Sequence, residues 1–204
     1  MPGRIAFPAP SRTRPDDDPA NSPQNLFRLA VSQILLRIGW IFKTESVIMP
    51  AFLDLIGGSG LLRGCLPMLN RFGQSIPPLL LSEHVANLPR KKFAMVATMG
   101  LMGVCFLSLS AAWFVTDGKW SGMPLFFLAV YGLFFTANGI NQLVSNTLIG
   151  KLIAVRSRGR LAAISSFVGG LMAVAAAWWL LRTWLTDSSG RFELIFGLTG
   201  LLFI

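Results

Sequence analysis

The sequence predicts an all-α membrane protein with five complete transmembrane helices and a truncated sixth. Three observations carry that expectation. Hydrophobic residues make up 53% of the 204 and charged residues only 13%, where ordinary globular domains carry about 25% charged residues. A soluble surface needs charge, whereas a lipid-facing surface excludes it. Three long stretches carry no charge at all. The basic residues gather in short segments between apolar stretches, as they do in loops on the cytoplasmic face of a membrane.

Taken in order, residues 1–25 form a polar tail. Pro2, Pro8, Pro10, Pro15, Pro19 and Pro23 run through it, with Asp16, Asp17 and Asp18 at its centre. Such a composition buries too little apolar area to fold, so a disordered cytoplasmic tail is expected. It lacks the apolar run of a signal peptide. Residues 26–204 then form the helical bundle. Its first span is expected over about 35–56 and carries Arg37, Lys43, Glu45 and Asp54. A soluble amphipathic helix is the alternative there, but charged membrane helices occur where they line a cavity. The second span, about 65–88, contains Arg71 and the adjacent Pro77 and Pro78. Each proline removes a backbone donor, so a kink is expected.

The third span, 93–115, has 23 residues without a charge. At 1.5 Å per residue it reaches roughly 34 Å, enough for a hydrocarbon core of about 30 Å. The fourth (123–149) and fifth (161–181) are also uncharged. The last stretch, 194–204, is apolar but covers only about 16 Å, half a bilayer.

The connecting segments alternate in charge. Arg4, Arg12, Arg14 and Arg28, then Arg90, Lys91 and Lys92, then Lys151, Arg156, Arg158 and Arg160 place eleven basic residues on one side. Arg63, Lys119, Arg182 and Arg191 place four on the other. The positive-inside rule therefore puts the N-terminus in the cytoplasm, and the cell's inner (plasma) membrane is the expected location. Trp113, Trp120 and Trp184 fall near the outer ends, where indole rings favour the interface. The net charge of +9 is thus a property of loops. Nucleic-acid binding would instead call for a basic patch on a soluble domain.

This topology resembles the N-terminal half of a major facilitator superfamily transporter. The loop after the second span, SEHVANLPRKKF, keeps the family's basic run as Arg90, Lys91 and Lys92. Ser82 and Pro89 stand where the family has glycines, and Ala86 where it has an aspartate. The segment RSRGRLAAISSFVGG, with an Arg-Gly-Arg entry and Gly169-Gly170, is also similar to the family. The helix-four arginine of proton-coupled members and the glycine-proline signature of antiporters have no counterpart. The resemblance implies two six-helix bundles around a central cavity, each built from inverted three-helix repeats, with substrate near the midplane. This chain would supply one bundle.

Within the spans, Lys43 and Glu45 are the first candidates for a substrate or coupling-ion site. Each would cost at least about 2.5 kcal/mol against lipid. Two positions apart on a helix they point about 160° from each other, so they are not expected to pair. Ion pairs between helices are the competing account. Arg71 heads a face with Ser75, Pro78 and Ser82, and pairing with Asp54 is expected. Asn138, Gln142 and Ser145 share a face of the fourth span, beside Asn141. That stripe serves either a solute or a helix interface. The small residues around Gly169-Gly170 suit close helix packing. Glu83 and His84 read as an exposed interfacial pair, with a proton relay as the alternative.

Three functions compete. The first is a secondary transporter, or half of one, moving a small polar solute by alternating access. The excess of Arg37, Lys43 and Arg71 over Glu45 favours an anionic solute. The second is a membrane enzyme, which would need convergent nucleophile, base or metal ligands. The sequence shows no GxSxG or HExxH, and His84 is the single histidine, so neither catalytic residues nor a metal or other cofactor are expected. Cys65 and Cys105 lie in apolar stretches without a CxxC spacing. The third is a non-catalytic subunit packed against a partner chain. The partners expected are thus the lipid bilayer, a solute, and a second half or a second copy of the chain.

Overall fold

The computed structural model describes residues 23–43, 47–116, 120–153, 155–181 and 191–204. Seven α-helices follow one another among them. They are α1 (Pro23–Phe42), α2 (Ile48–Leu55), α3 (Gly60–Asn87), α4 (Lys91–Thr116), α5 (Met123–Leu152), α6 (Val155–Ala176) and α7 (Phe192–Phe203). A π-helical turn, Ala177–Leu181, prolongs α6. The charges of the N-terminal tail, together with Lys119, Arg182 and Trp184, lie outside the described residues.

Three helices, not five, are long and apolar enough to cross a membrane: Lys91–Thr116, Met123–Leu152 and Ser157–Leu180. They mark the chain as a membrane protein. The expected first span is divided instead between α1 and α2. Pro50 sits in the first turn of α2, where its missing N–H costs nothing, whereas inside one continuous helix its ring would crowd the preceding turn. Helix α1 also begins at Pro23, inside the stretch expected as tail, because proline suits a first helical turn. Over the expected second span, α3 runs for 28 residues unbroken by Pro67, Pro77 and Pro78, but it is not among the three helices apolar enough to cross. Arg63, Arg71, Glu83 and His84 lower its hydropathy. The expected sixth is the 12-residue α7.

Local rules explain the joint between α2 and α3. Gly57 has φ +78°, a left-handed conformation that glycine adopts without penalty. Its N–H donates to Asp54 O and that of Gly58 to Leu53 O, at 3.1 and 2.7 Å. These are the two bonds of a Schellman cap. Ser59 then caps α3, its Oγ accepting from Leu62 N at 3.5 Å. At the other end of the bundle, Arg158 donates from Nε to Ile153 O at 3.0 Å and from Nη2 to Gly150 O at 2.7 Å. A cation thereby meets the exposed carbonyls of the α5 C-terminus.

The core is rich in phenylalanine. Phe52 of α2 is fully buried, with its ring centroid 4.8–5.3 Å from those of Phe196, Phe192, Phe127 and Trp113. Phe106, Phe134 and Phe203 extend the cluster along α4, α5 and α7. Helices approach closely where side chains vanish. A Cβ on Gly103 would lie 2.8 Å from Gly200 O, and one on Gly200 would lie 2.9 Å from Gly103 O. On Gly73 it would lie 2.7 Å from the backbone of Phe135, and on Gly169 3.0 Å from Arg37 Cδ. Small residues at such seams let dispersion hold apolar helices together where the hydrophobic effect is absent.

The principal contacts between long helices are α3 with α5, α4 with α5, α4 with α7, α1 with α6 and α1 with α7. Exchanging the first three long helices for the last three (α1 for α5, α3 for α6, α4 for α7) returns the same set. The pair α3–α5 becomes α6–α1, the pair α4–α5 becomes α7–α1, and α4–α7 maps onto itself.

Candidate functional site

A cavity of about 670 Å³ opens between α1 and α5. Helix α5 supplies Asn138, Asn141, Gln142, Ser145 and Asn146, while α1 supplies Gln33, Leu36, Arg37, Trp40 and Ile41, with Lys43 just beyond its end. Asn70 of α3 and Gly170 and Ala173 of α6 complete the wall. Positions 33, 37 and 40–41, like 138, 142 and 145, recur at helical spacing, so each helix turns one polar face to the cavity. Among the described residues the wall carries two cations and no carboxylate, histidine or cysteine.

Cross-helix hydrogen bonds fix this wall. Arg37 Nη2 donates to Ser166 Oγ at 2.9 Å and Ser165 Oγ to Gln33 Oε1 at 2.9 Å, tying α1 to α6. Thr98 Oγ1 donates to Asn141 Oδ1 at 3.0 Å, tying α4 to α5. Gln74 Nε2 donates to Asn70 Oδ1 within α3. Lys43 is 2% exposed. Its Nζ lies 3.7 Å from the Trp40 ring centroid, 3.9 Å from that of Phe135 and 4.9 Å from that of Phe134. Such cation–π contacts contribute about 2 kcal/mol when desolvated. Asn138 is 3% exposed, and its Nδ2 has no hydrogen-bond partner among the described residues.

Of the residues expected to form a site, Lys43, Asn138 and Gln142 come together here. Glu45 lies outside the described residues. Arg71 is exposed and does not line the cavity; its neighbour Asn70 does. Nor does Arg71 pair with Asp54, whose partner is Arg63. The Schellman turn folds residues 54 and 63 against each other, whereas Arg71 sits eight residues further on, about 12 Å along α3. Arg90, Lys91 and Lys92 stand at the α3–α4 junction, away from the cavity. Lys91 is buried and the other two exposed. Glu83 and His84 are exposed. Cys105 is buried and Cys65 half-buried, both unbridged.

Arg37, Trp40 and Asn70 belong to the wall without having been site candidates. The spacing of Gln33, Arg37 and Trp40 was the available signal. Asn138, Asn141 and Gln142 of the amide stripe all line the cavity, and Asn141 also accepts from Thr98 of α4. The chain matches no protein-family model, no curated protein and no solved structure.

Proposed function

We propose that this chain is a secondary transporter or the N-terminal half of one, moving a small polar solute by alternating access. The observation that carries this reading is the place of the cavity. Its two main walls, α1 and α5, are exchange partners in the contact pattern, and so are its minor walls, α3 and α6. If each unit crosses three times, two successive units run in opposite senses. Inverted repeats with a polar site at their interface are a recurrent design of secondary transporters. The same three-plus-three arrangement, with the basic run Arg90, Lys91 and Lys92, supports the resemblance to a major facilitator bundle. The excess of basic residues in alternate loops supports a cytoplasmic N-terminus.

Arg37, Gln142 and Asn146 are exposed on the open side of the cavity. Against hydrocarbon they would be costly, so a second bundle covers this side. It is either a second copy of the chain or another half. The same exposed side favours a second reading, a non-catalytic subunit whose polar face docks on a partner. A partner co-purifying in equal amount, with no solute flux from the reconstituted complex, would select that reading.

The first test is water access. Single cysteines at Gln142 and Leu133 of α5, in a Cys65→Ser, Cys105→Ala background, are exposed to a membrane-impermeant maleimide in vesicles. Leu133 is an exposed apolar residue that does not line the cavity. Position 142 should label and 133 should not. Equal protection of both would remove the water-filled cavity and the transport reading with it.

A further inference from the structure

We infer that the solute is a hydroxylated molecule of about disaccharide length, read by the amides of α5 with Asn138 at the closed end of the cavity. This rests on the transporter reading above and names the substrate of the same cavity. Asn138, Gln142 and Asn146 line the wall. At four-residue intervals they stack along one face of α5, about 6 Å apart and about 12 Å from end to end. Burial grades along them: Asn138 is buried, whereas Gln142 and Asn146 are exposed on the open side. The bundle's own bonding uses Asn141, whose Oδ1 accepts from Thr98, and leaves the Asn138 Nδ2 without a partner among the described residues. A buried donor left unsatisfied retains its desolvation cost. A turn about the terminal torsion of the side chain, which is broad for an amide, brings that donor to the cavity.

Each of these three side chains carries a carbonyl that accepts and an NH₂ that donates. A hydroxyl both donates and accepts, so it satisfies either group. An ionised carboxylate only accepts and an ammonium only donates, so either would leave half of each amide unmet. This matching is set by the amides and does not depend on the net charge of the cavity. A ligand without the matching group leaves buried polar atoms unpaired and is strongly rejected. One sugar ring reaches from one amide to the next, whereas two joined rings reach all three. Trp40, 37% exposed on the facing wall, offers an apolar surface to the C–H face of such a ring. The cavity of about 670 Å³ falls within the range of roughly 300–1,000 Å³ that takes a small organic ligand.

The experiment is titration calorimetry on the purified full chain in phosphatidylcholine nanodiscs. The probes are uncharged: sucrose, maltose, lactose and trehalose, their component monosaccharides, the fully O-methylated disaccharides, and a blocked dipeptide amide. At least one disaccharide should bind about tenfold or more tightly than its own monosaccharides and its methylated form. Asn138→Leu should lose about tenfold for that disaccharide. Gln142→Leu, at an exposed position, should shift affinity the same way and covers the case in which Asn138→Leu misfolds. Leu133→Ala, away from the cavity, should stay within about twofold. A monosaccharide binding as tightly would overturn the length. The methylated form or the dipeptide amide binding as tightly would overturn the hydroxylated class. Full affinity in both α5 variants would overturn the assignment to the amides. Binding by none of the probes would overturn the inference while leaving the transporter reading to the cysteine-labelling test, so the two failures are distinguishable.

Discussion

The α4–α7 seam and the α1–α5 cavity occupy corresponding places in the bundle, since each brings a helix to its exchange partner. One closes and the other stays open. In the seam, Gly103 and Gly200 remove side chains where the backbones meet, and buried Phe106, Phe196 and Phe203 fill the flanks. In the cavity, Arg37, Trp40 and Lys43 of one wall meet Asn138 and Gln142 of the other. Rings and bare backbone interdigitate without needing partners, whereas amides and cations must keep hydrogen-bonded or charged neighbours. Helix connectivity thus sets where two helices meet. Side-chain size and polarity set whether the meeting becomes a seam or a site.

Phe52→Ala should break the closed side most severely. The ring is buried among four other aromatic rings contributed by α4, α5 and α7. Its removal should cost about 3–5 kcal/mol, the usual range for a buried phenylalanine. Unfolding in mixed micelles measures this. Trp40→Ala on the cavity side, where the ring is partly exposed, should cost clearly less. Equal losses would mean that α2 does not anchor the closed side.

A pair of glycines sharpens the contrast. Gly103→Ala places a Cβ 2.8 Å from the Gly200 carbonyl oxygen, a backbone atom that moves only if a helix moves. The cost should be about 1–3 kcal/mol, as for overpacking elsewhere. Gly170→Ala, on the cavity wall with nothing within 4 Å of the new Cβ, should change stability by less than about 0.5 kcal/mol. The same unfolding titration reads both. Similar losses at the two positions would erase the distinction between seam and cavity.

Much of this was legible in the sequence. The charge-free runs of the third and fourth spans are α4 and α5 to within a few residues, because length without charge is a signal that packing does not alter. The face of Asn138, Gln142 and Ser145 was legible from spacing alone. The division of α1 from α2 was not, since it turns on Pro50 alone, in an apolar run that reads as continuous. Asn70 rather than Arg71 lines the cavity because adjacent helical residues point about 100° apart, and the inward direction of α3 is fixed by its contact with α5. Asp54 takes Arg63 because a nine-residue capped turn returns the chain on itself.

The sharpest separation of the two regions comes from Asn138→Leu, a buried change that should cost almost no stability. Asn138 is as buried as the core phenylalanines, yet its Nδ2 has no partner among the described residues. Leucine has a similar shape and no donor to satisfy, and replacing an unsatisfied polar group by an apolar one is nearly neutral or stabilising. The variant should unfold within about 1 kcal/mol of the parent, on the stable side, whereas a leucine lost from a core costs about 2–5 kcal/mol. Stability kept would identify Asn138 as a polar group that the bundle's own packing does not need. Stability lost by several kcal/mol would instead make it part of the bundle's own hydrogen bonding, and the α5 face would become a second seam.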